Sequence, residues 1–367
     1  MKATTAACLV LAASALGAVS ASAGPINERR LSACLAADAR AMGFSGIVSV
    51  VLPSGPVAYA NGRVAGPNSP KIDENSRFNL ASAGKMFTAA AIGQLVDGGR
   101  IGLDDPVGGH VKGLSRALSA VTVRQLLDHR AGLGNYFTPA NLPAISRARS
   151  AVDLLPLIAG ETPAFAPDSR FAYSNSGFLL LGILIERVSG LRYGDYLAAH
   201  VFGPAGMGSS SLDPRPDSIR AVGMTAMPVL AHALSGTPPP AGGALWPAPE
   251  AALWGGPAGG AYSTAADLRR FFTALEAGRL LSPAMYRTLT SPSTQGAYGL
   301  GFGTGVFHGH RWFGHNGGAP GVNTELAAFP DDNALVFVLA DRDPPMATAL
   351  YRQVRETIFN PAPCGAP

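Results

Sequence analysis

The stretch from Phe78 to Val96 reads FNLASAGKMFTAAAIGQLV. It holds a short strand candidate over Arg77–Leu80, then a serine, a lysine three positions on, and an apolar helix expected from Lys85 to Asp97. Met86, Phe87, Ala90, Ile92 and Leu95 supply the apolar positions of that helix. A spacing of three puts the Ser82 hydroxyl and the Lys85 amine on one helical face, within reach of each other. At the opening turn the serine also sits among unpaired N–H groups and the positive end of the helix dipole, which favour developing negative charge. A lysine that is partly desolvated can be neutral and take the serine proton. Ser82 is the only serine in the chain with a lysine three residues later. Taken by itself, a serine that opens a helix is more often a cap, so the pattern needs company.

Upstream of this stretch a helical pattern covers Pro25–Met42, with Leu31, Leu35 and Met42 on its apolar stripe, and a hairpin follows from Gly46–Leu52 to Val57–Asn61. Downstream, helical periodicity recurs over Thr122–His129, Ser150–Ile158, Gly177–Ser189 and Tyr193–Phe202. Residues 235–260 hold seven Gly and six Pro, which predicts a long irregular loop containing Trp246 and Trp254. A further helix starts at Ser263-Thr264, with Asp267 as capping-box partner, and runs to about Ala277. The period then changes to two, with strands expected near Tyr298–Phe302, Val306–His308, Arg311–Gly314, Val322–Phe329 and Ala334–Ala340. A helix over Pro345–Phe359 closes the pattern.

That order predicts a mixed α/β (α+β) fold. Residues 24–80 and 258–367 form an antiparallel sheet region flanked by the N- and C-terminal helices, and residues 81–257 form an inserted, mainly helical region. Together they are expected to make one catalytic domain, with its site where helices meet the sheet.

Composition agrees with a large packed core, since 47% of the 367 residues are hydrophobic and 14% charged. A formal net charge of +4 is too small an excess to mark a nucleic-acid partner. Residues 1–23 read as a cleavable signal peptide: Lys2, an apolar run from Ala6 to Val19, and the small residues Ala21-Ser22-Ala23. A periplasmic or secreted protein is therefore expected, and the apolar run is too short for the roughly 20 residues of a membrane span. Removal of the signal discards Cys8 and leaves Cys34 and Cys364. Two cysteines in an exported chain suggest one disulfide, Cys34–Cys364, contributing about 3–5 kcal/mol in the chain-entropy picture; two free buried thiols are the alternative.

Two other segments could bring chemistry to Ser82. In Tyr173-Ser174-Asn175 a phenol and an amide lie two residues apart in a loop, so both can face a cleft, the phenol exchanging protons with Ser82 or Lys85 and the amide binding a substrate carbonyl. In His315-Asn316-Gly317-Gly318 the glycines let backbone approach a ligand closely, and the Gly318 N–H could complete an oxyanion hole with that of Ser82. A glycine-rich bulge is the plain structural alternative. His308, His310 and His315 lack an acidic or cysteine companion at ligand spacing, so zinc is not expected.

Three weak signals in the order Ser82, Tyr173, His315 reinforce one another. With FNLASAGKMFTAAAIGQLV (78–96), LDDPV (103–107), VTVRQLLDHRAGL (121–133), FAYSNSGFLLLGILIERVSG (171–190), PAGGAYSTAADLRRFF (257–272) and FGHNGGAPG (313–321), the chain resembles the serine β-lactamase and penicillin-binding protein superfamily. The similarity is to its class C β-lactamase-like branch, which includes D-alanyl-D-alanine carboxypeptidases and esterases. The resemblance implies that Ser82 is acylated, that Lys85 and Tyr173 share the base role, and that Asn175 binds the substrate amide. It also implies that His315 and Gly317 line the opposite wall, that no cofactor or metal is needed, and that the partner is a small-molecule or peptidoglycan-peptide substrate. Typical members of that branch carry Lys where this chain has His315, so anchoring of a substrate carboxylate should weaken. A slow penicillin- or cell-wall-peptide-binding protein on the same scaffold is the alternative implied.

Overall fold

The computed structural model describes residues 28–214, 217–227, 244–248, 255–293, 296 and 298–360. The expected signal peptide, Trp254, Cys364 and much of the Pro/Gly-rich segment lie outside the described residues. Helix α1 (Glu28–Ala41) leads into the hairpin of β1 (Gly46–Leu52) and β2 (Gly55–Asn61). Four later strands, β3 (Gly303–Phe307), β4 (His310–Ala319), β5 (Val322–Phe329) and β6 (Ala334–Ala340), join the hairpin in one six-stranded sheet. The order is β2-β1-β6-β5-β4-β3, and every neighbouring pair is antiparallel. The first strands thus close onto the last, and the closing helix α5 (Met346–Phe359) packs with α1 on one face.

The period of two along the strands separates two cores. Val48, Val50, Val336 and Val338 point towards Leu31, Leu35, Leu350 and Val354 of the terminal helices. Their sequence neighbours Ile47, Phe337 and Leu339 point to the other face, into the core of the helical region. There Phe337 meets Phe272 of α4 (Ala265–Glu276) at 5.3 Å between ring centroids. Cys34 is buried in α1 and disulfide-bonded; the other half of the expected pair, Cys364, is not among the described residues.

At the heart of the helical region lie α2 (Lys85–Asp97) and α3 (Asn175–Ser189). Both are buried on nearly all sides, as expected of helices enclosed by protein rather than of amphipathic surface helices. Phe87 of α2 is held by edge-to-face rings, Phe202 at 5.2 Å and Phe271 at 4.9 Å. The Glu186 carboxylate of α3 accepts from the N–H groups of Ala151, Val152 and Tyr193 at 2.9, 2.9 and 2.7 Å, which pins two chain segments to one helix.

Several elements depart from their sequence expectation, each for a local reason. The helix expected over 150–158 is a 3-10 helix, Val152–Leu157, because Pro156 inside it offers no N–H. The helix expected over 193–202 is α-helical only to Leu197 and then widens into a π turn, Ala198–Phe202. Asp267 donates its backbone N–H to the Thr264 cap, but its carboxylate turns to Ser209 N–H and the Ser210 hydroxyl, both 2.8 Å, instead of closing a capping box. No strand spans 298–302. Gly301, at φ 85°, breaks the extension, and only Tyr298 bridges to Gly303. Conversely β4 runs five residues past its expected end, and His308 falls in the β3–β4 turn rather than in a strand.

Candidate active site

Two helix N-termini converge on one point. Ser82 lies in a 3-10 turn, Ala81–Gly84, that passes directly into α2, so Lys85 is the first residue of that helix. Asn175 is the first residue of α3, whose Ser174 cap accepts from Gly177 N–H at 2.9 Å. Glycines permit the close packing around the serine. A Cβ on Gly259 would stand 2.3 Å from the Ala81 carbonyl oxygen, and one on Gly317 would stand 2.1 Å from the Leu80 carbonyl oxygen. Ala81 itself adopts φ 43°, a costly backbone geometry for a residue with a side chain, and this turn presents Ser82 to the cleft.

Lys85 is fully buried. Its Nζ donates to Ser82 Oγ at 3.2 Å, to Asn175 Oδ1 at 2.8 Å and to the Ala258 carbonyl. Burial pushes its pKa well below the ordinary lysine value. Two of the three partners can only accept. When the amine loses its proton, they keep its two remaining N–H groups and its lone pair is left facing Ser82 Oγ. The Asn175 amide is fixed from both ends, since Nδ2 donates to Asn135 Oδ1 at 2.9 Å.

Tyr173 approaches from the opposite side. Its phenol lies beside the Ser82 side chain, and crowding of protein around the hydroxyl pushes the phenol up to about 12, although 43% of the residue remains exposed. The Lys85 Nζ sits 4.8 Å from the centre of the Tyr173 ring. Ser82 Oγ therefore lies between an amine that bonds it and a phenol beside it.

The third motif extends as strand rather than bulge. In β4 Gly317 pairs with Thr324 and Gly318 with Asn323, which lays the strand flush against the Ser82 turn. His315 is buried beside it, and both ring nitrogens are engaged: Nδ1 with the Asn316 carbonyl at 2.6 Å and Nε2 with the Tyr298 hydroxyl at 2.8 Å. A carbonyl can only accept, so the proton resides on Nδ1 and Nε2 accepts from Tyr298. Burial, with Lys85 nearby, pushes His315 down to about 3. The position therefore carries no positive charge near neutral pH. All six residues expected to surround Ser82 are at the cleft or in its walls: Lys85, Tyr173, Asn175, His315, Gly317 and Gly318.

Two further residues had no role in the sequence expectation. Tyr298, expected in a strand, instead holds His315. His129, expected at the end of a helix, leaves that helix after Leu127 and turns inward at φ 60°. Its Nδ1 accepts from Ser174 N–H at 3.1 Å, and its ring packs on Tyr173 with centroids 4.2 Å apart. Only its place in the LLDHRAGL run hinted at this, because the inward turn has no periodicity to detect. His129→Gln should lower kcat about tenfold or more through misplacement of Tyr173 while changing KM little, as steady-state kinetics beside a melting curve would establish.

A recess of about 150 Å³ opens beside Ser82 and Gly318, and another of about 400 Å³ opens beside Tyr173 and His315. Among the described residues no cluster of side chains suits a metal ion, and no helix is long and apolar enough to cross a membrane.

The profile of the Beta-lactamase family matches residues 31–358. The chain belongs to the Beta-lactamase family. It is 36% identical over 140 residues to penicillin-binding protein 4* of Bacillus subtilis, covering 37% of this chain and 30% of that protein. It is 25% identical over 305 residues to a D-aminopeptidase of Cereibacter sphaeroides, covering 80% and 56%. The chain thus spans from about a third to about half of these relatives' lengths. Among solved structures, a penicillin-binding protein from Bacillus halodurans superposes with a TM-score of 0.78 at 27% identity, covering 89% of this chain and 99% of that one. This β-lactamase-family chain therefore has the fold of a penicillin-binding protein and is related to a protein named D-aminopeptidase.

Proposed function

We propose that the chain is an exported serine hydrolase that cleaves amides or esters through an acyl-enzyme on Ser82. The observation that carries this is the Ser82 hydroxyl held between the Lys85 amine and the Tyr173 phenol. The neutral Lys85 amine takes the hydroxyl proton as Ser82 Oγ bonds to the substrate carbonyl carbon. The oxyanion rests on the N–H groups of Ser82 and Gly318. Asn175 orients the substrate amide, and His315 with Gly317 forms the far wall. Tyr173 gives a proton to the leaving group as the carbonyl re-forms, and the Lys85 ammonium restores the phenol proton. Water then attacks the acyl carbon, gives its proton back through the same pair, and frees Ser82 with the acid product.

The D-aminopeptidase relative supports an amide bond of a D-amino peptide as one substrate. The neutral His315 argues against substrates that depend on a cation at that position, β-lactams above all. A panel of a short-chain ester, a D-alanyl-D-alanine peptide and nitrocefin tests the proposal. Steady turnover of the ester or peptide is expected, with nitrocefin slower by about a hundredfold, the scale of a lost charged hydrogen bond. Stoichiometric labelling by a fluorescent penicillin without turnover of any substrate would make the chain a binding protein instead.

A further inference from the structure

We propose that the recess beside Ser82 receives the acyl half of the substrate and selects an uncharged, bulky apolar group there, aryl or branched alkyl. This deepens the acyl-transfer proposal above and rests on it. The two recesses divide the reacting groups between them. Ser82 and Gly318 line the first recess but not the second, whereas Tyr173 and His315 line the second but not the first. A leaving group must face the acid that protonates it. It therefore departs past Tyr173 into the second recess, and the acyl remainder occupies the first.

The chemistry of the first wall then sets the acyl group. Tyr136, Phe137, Ile145 and Leu154 supply its aromatic and branched aliphatic lining. Ile145 and Leu154 are buried, and burial of the Tyr136 phenol pushes its pKa up, so it stays neutral. Among the described residues none of the lining side chains is Asp, Glu, Lys, Arg or His. Glu161, from the neighbouring segment, is committed to the Ser176 hydroxyl at 2.6 Å and Gly134 N–H at 3.0 Å. A charged acyl group would lose its hydration there and find no counter-charge. A cavity of about this size admits a benzene ring. The second recess differs, with Glu325, Arg352 and Arg355 in its lining, so charge is accommodated on the leaving-group side.

The test uses p-nitrophenyl esters of acetic, phenylacetic, phenylglycine and para-carboxyphenylacetic acids, which hold the leaving group constant. The phenylacetyl ester should exceed the acetyl ester in kcat/KM by about tenfold or more, the scale of added apolar contacts. It should exceed each charged analogue by about a hundredfold. Phe137, half-buried in this lining, is the residue to change. Phe137→Asp should move the phenylglycyl-to-phenylacetyl ratio at least about tenfold towards the ammonium substrate, and Phe137→Ala should shrink the phenylacetyl-to-acetyl advantage. Each variant is checked for folding by its burst with the acetyl ester. Equal or better turnover of charged acyl groups by the wild type, with Ser82-dependent acetyl turnover intact, would overturn the pocket assignment alone. Absence of Ser82-dependent turnover of every ester would overturn the acyl-transfer proposal and the pocket assignment with it.

Discussion

Ser82→Ala is expected to abolish turnover, with kcat falling by roughly 10⁶-fold, the scale on which loss of a nucleophile removes acyl transfer. The fold should survive. Ser82 is only half-buried, and its backbone lies in a turn set by Ala81 and the flanking glycines rather than by its own hydroxyl. Without that oxygen Lys85 keeps its two carbonyl acceptors, Asn175 Oδ1 and Ala258 O, so no buried donor is stranded when the amine is neutral. A melting temperature close to wild type together with loss of turnover is therefore the expected pair of results. A variant that keeps more than about a hundredth of the activity would indicate another nucleophile, because loss of the attacking oxygen itself costs on the order of 10⁶.

Lys85→Met should cost about 10³–10⁴-fold in acylation, the upper part of the range for a positioned general base. It should also alter how stability depends on pH. Burial lowers the Lys85 pKa in the folded chain well below its ordinary value. Between that lowered value and the roughly 10.4 of an unfolded lysine, the unfolded chain binds one more proton than the folded chain. Wild-type stability accordingly rises with pH across this window and is lost as pH falls through it. Methionine binds no proton in either state. The melting temperature of the variant minus that of wild type should increase as pH is lowered from about 10 and level off below the folded pKa of Lys85. Wild-type acylation should rise with pH through that same folded pKa, and the variant should lack this limb. A difference in melting temperature independent of pH would mean that Lys85 is charged in the folded protein.

The parts of this site legible in sequence are those set by local relations. A three-residue spacing on a helix brings Ser82 and Lys85 together whatever the rest of the chain does. Strands β5 and β6 have their expected ends because alternation of buried side chains continues along their whole length. Tyr173 and Asn175 were visible as a polar pair ahead of an apolar helix. That they meet Lys85 depends on α3 starting beside α2, a tertiary fact for which only the family resemblance provided a warrant. The residues that escaped notice lack periodic signals. Tyr298 sits where glycines interrupt a strand-like run, and His129 sits where a short helix ends and the chain turns inward at positive φ. The full length of β4 is not legible in the sequence because Gly317 and Gly318 have no strand propensity. Their value is absence of bulk, which becomes apparent only against the Leu80 carbonyl and Pro344 that a Cβ would meet.

The most direct measurement is the mass of the protein quenched during turnover of a p-nitrophenyl ester, followed by peptide mapping. An adduct equal to one acyl group, confined to the peptide that contains Ser82 and absent from Ser82→Ala, is the predicted result. Turnover with no adduct on that peptide, or an adduct that persists when Ser82 is replaced, would contradict it.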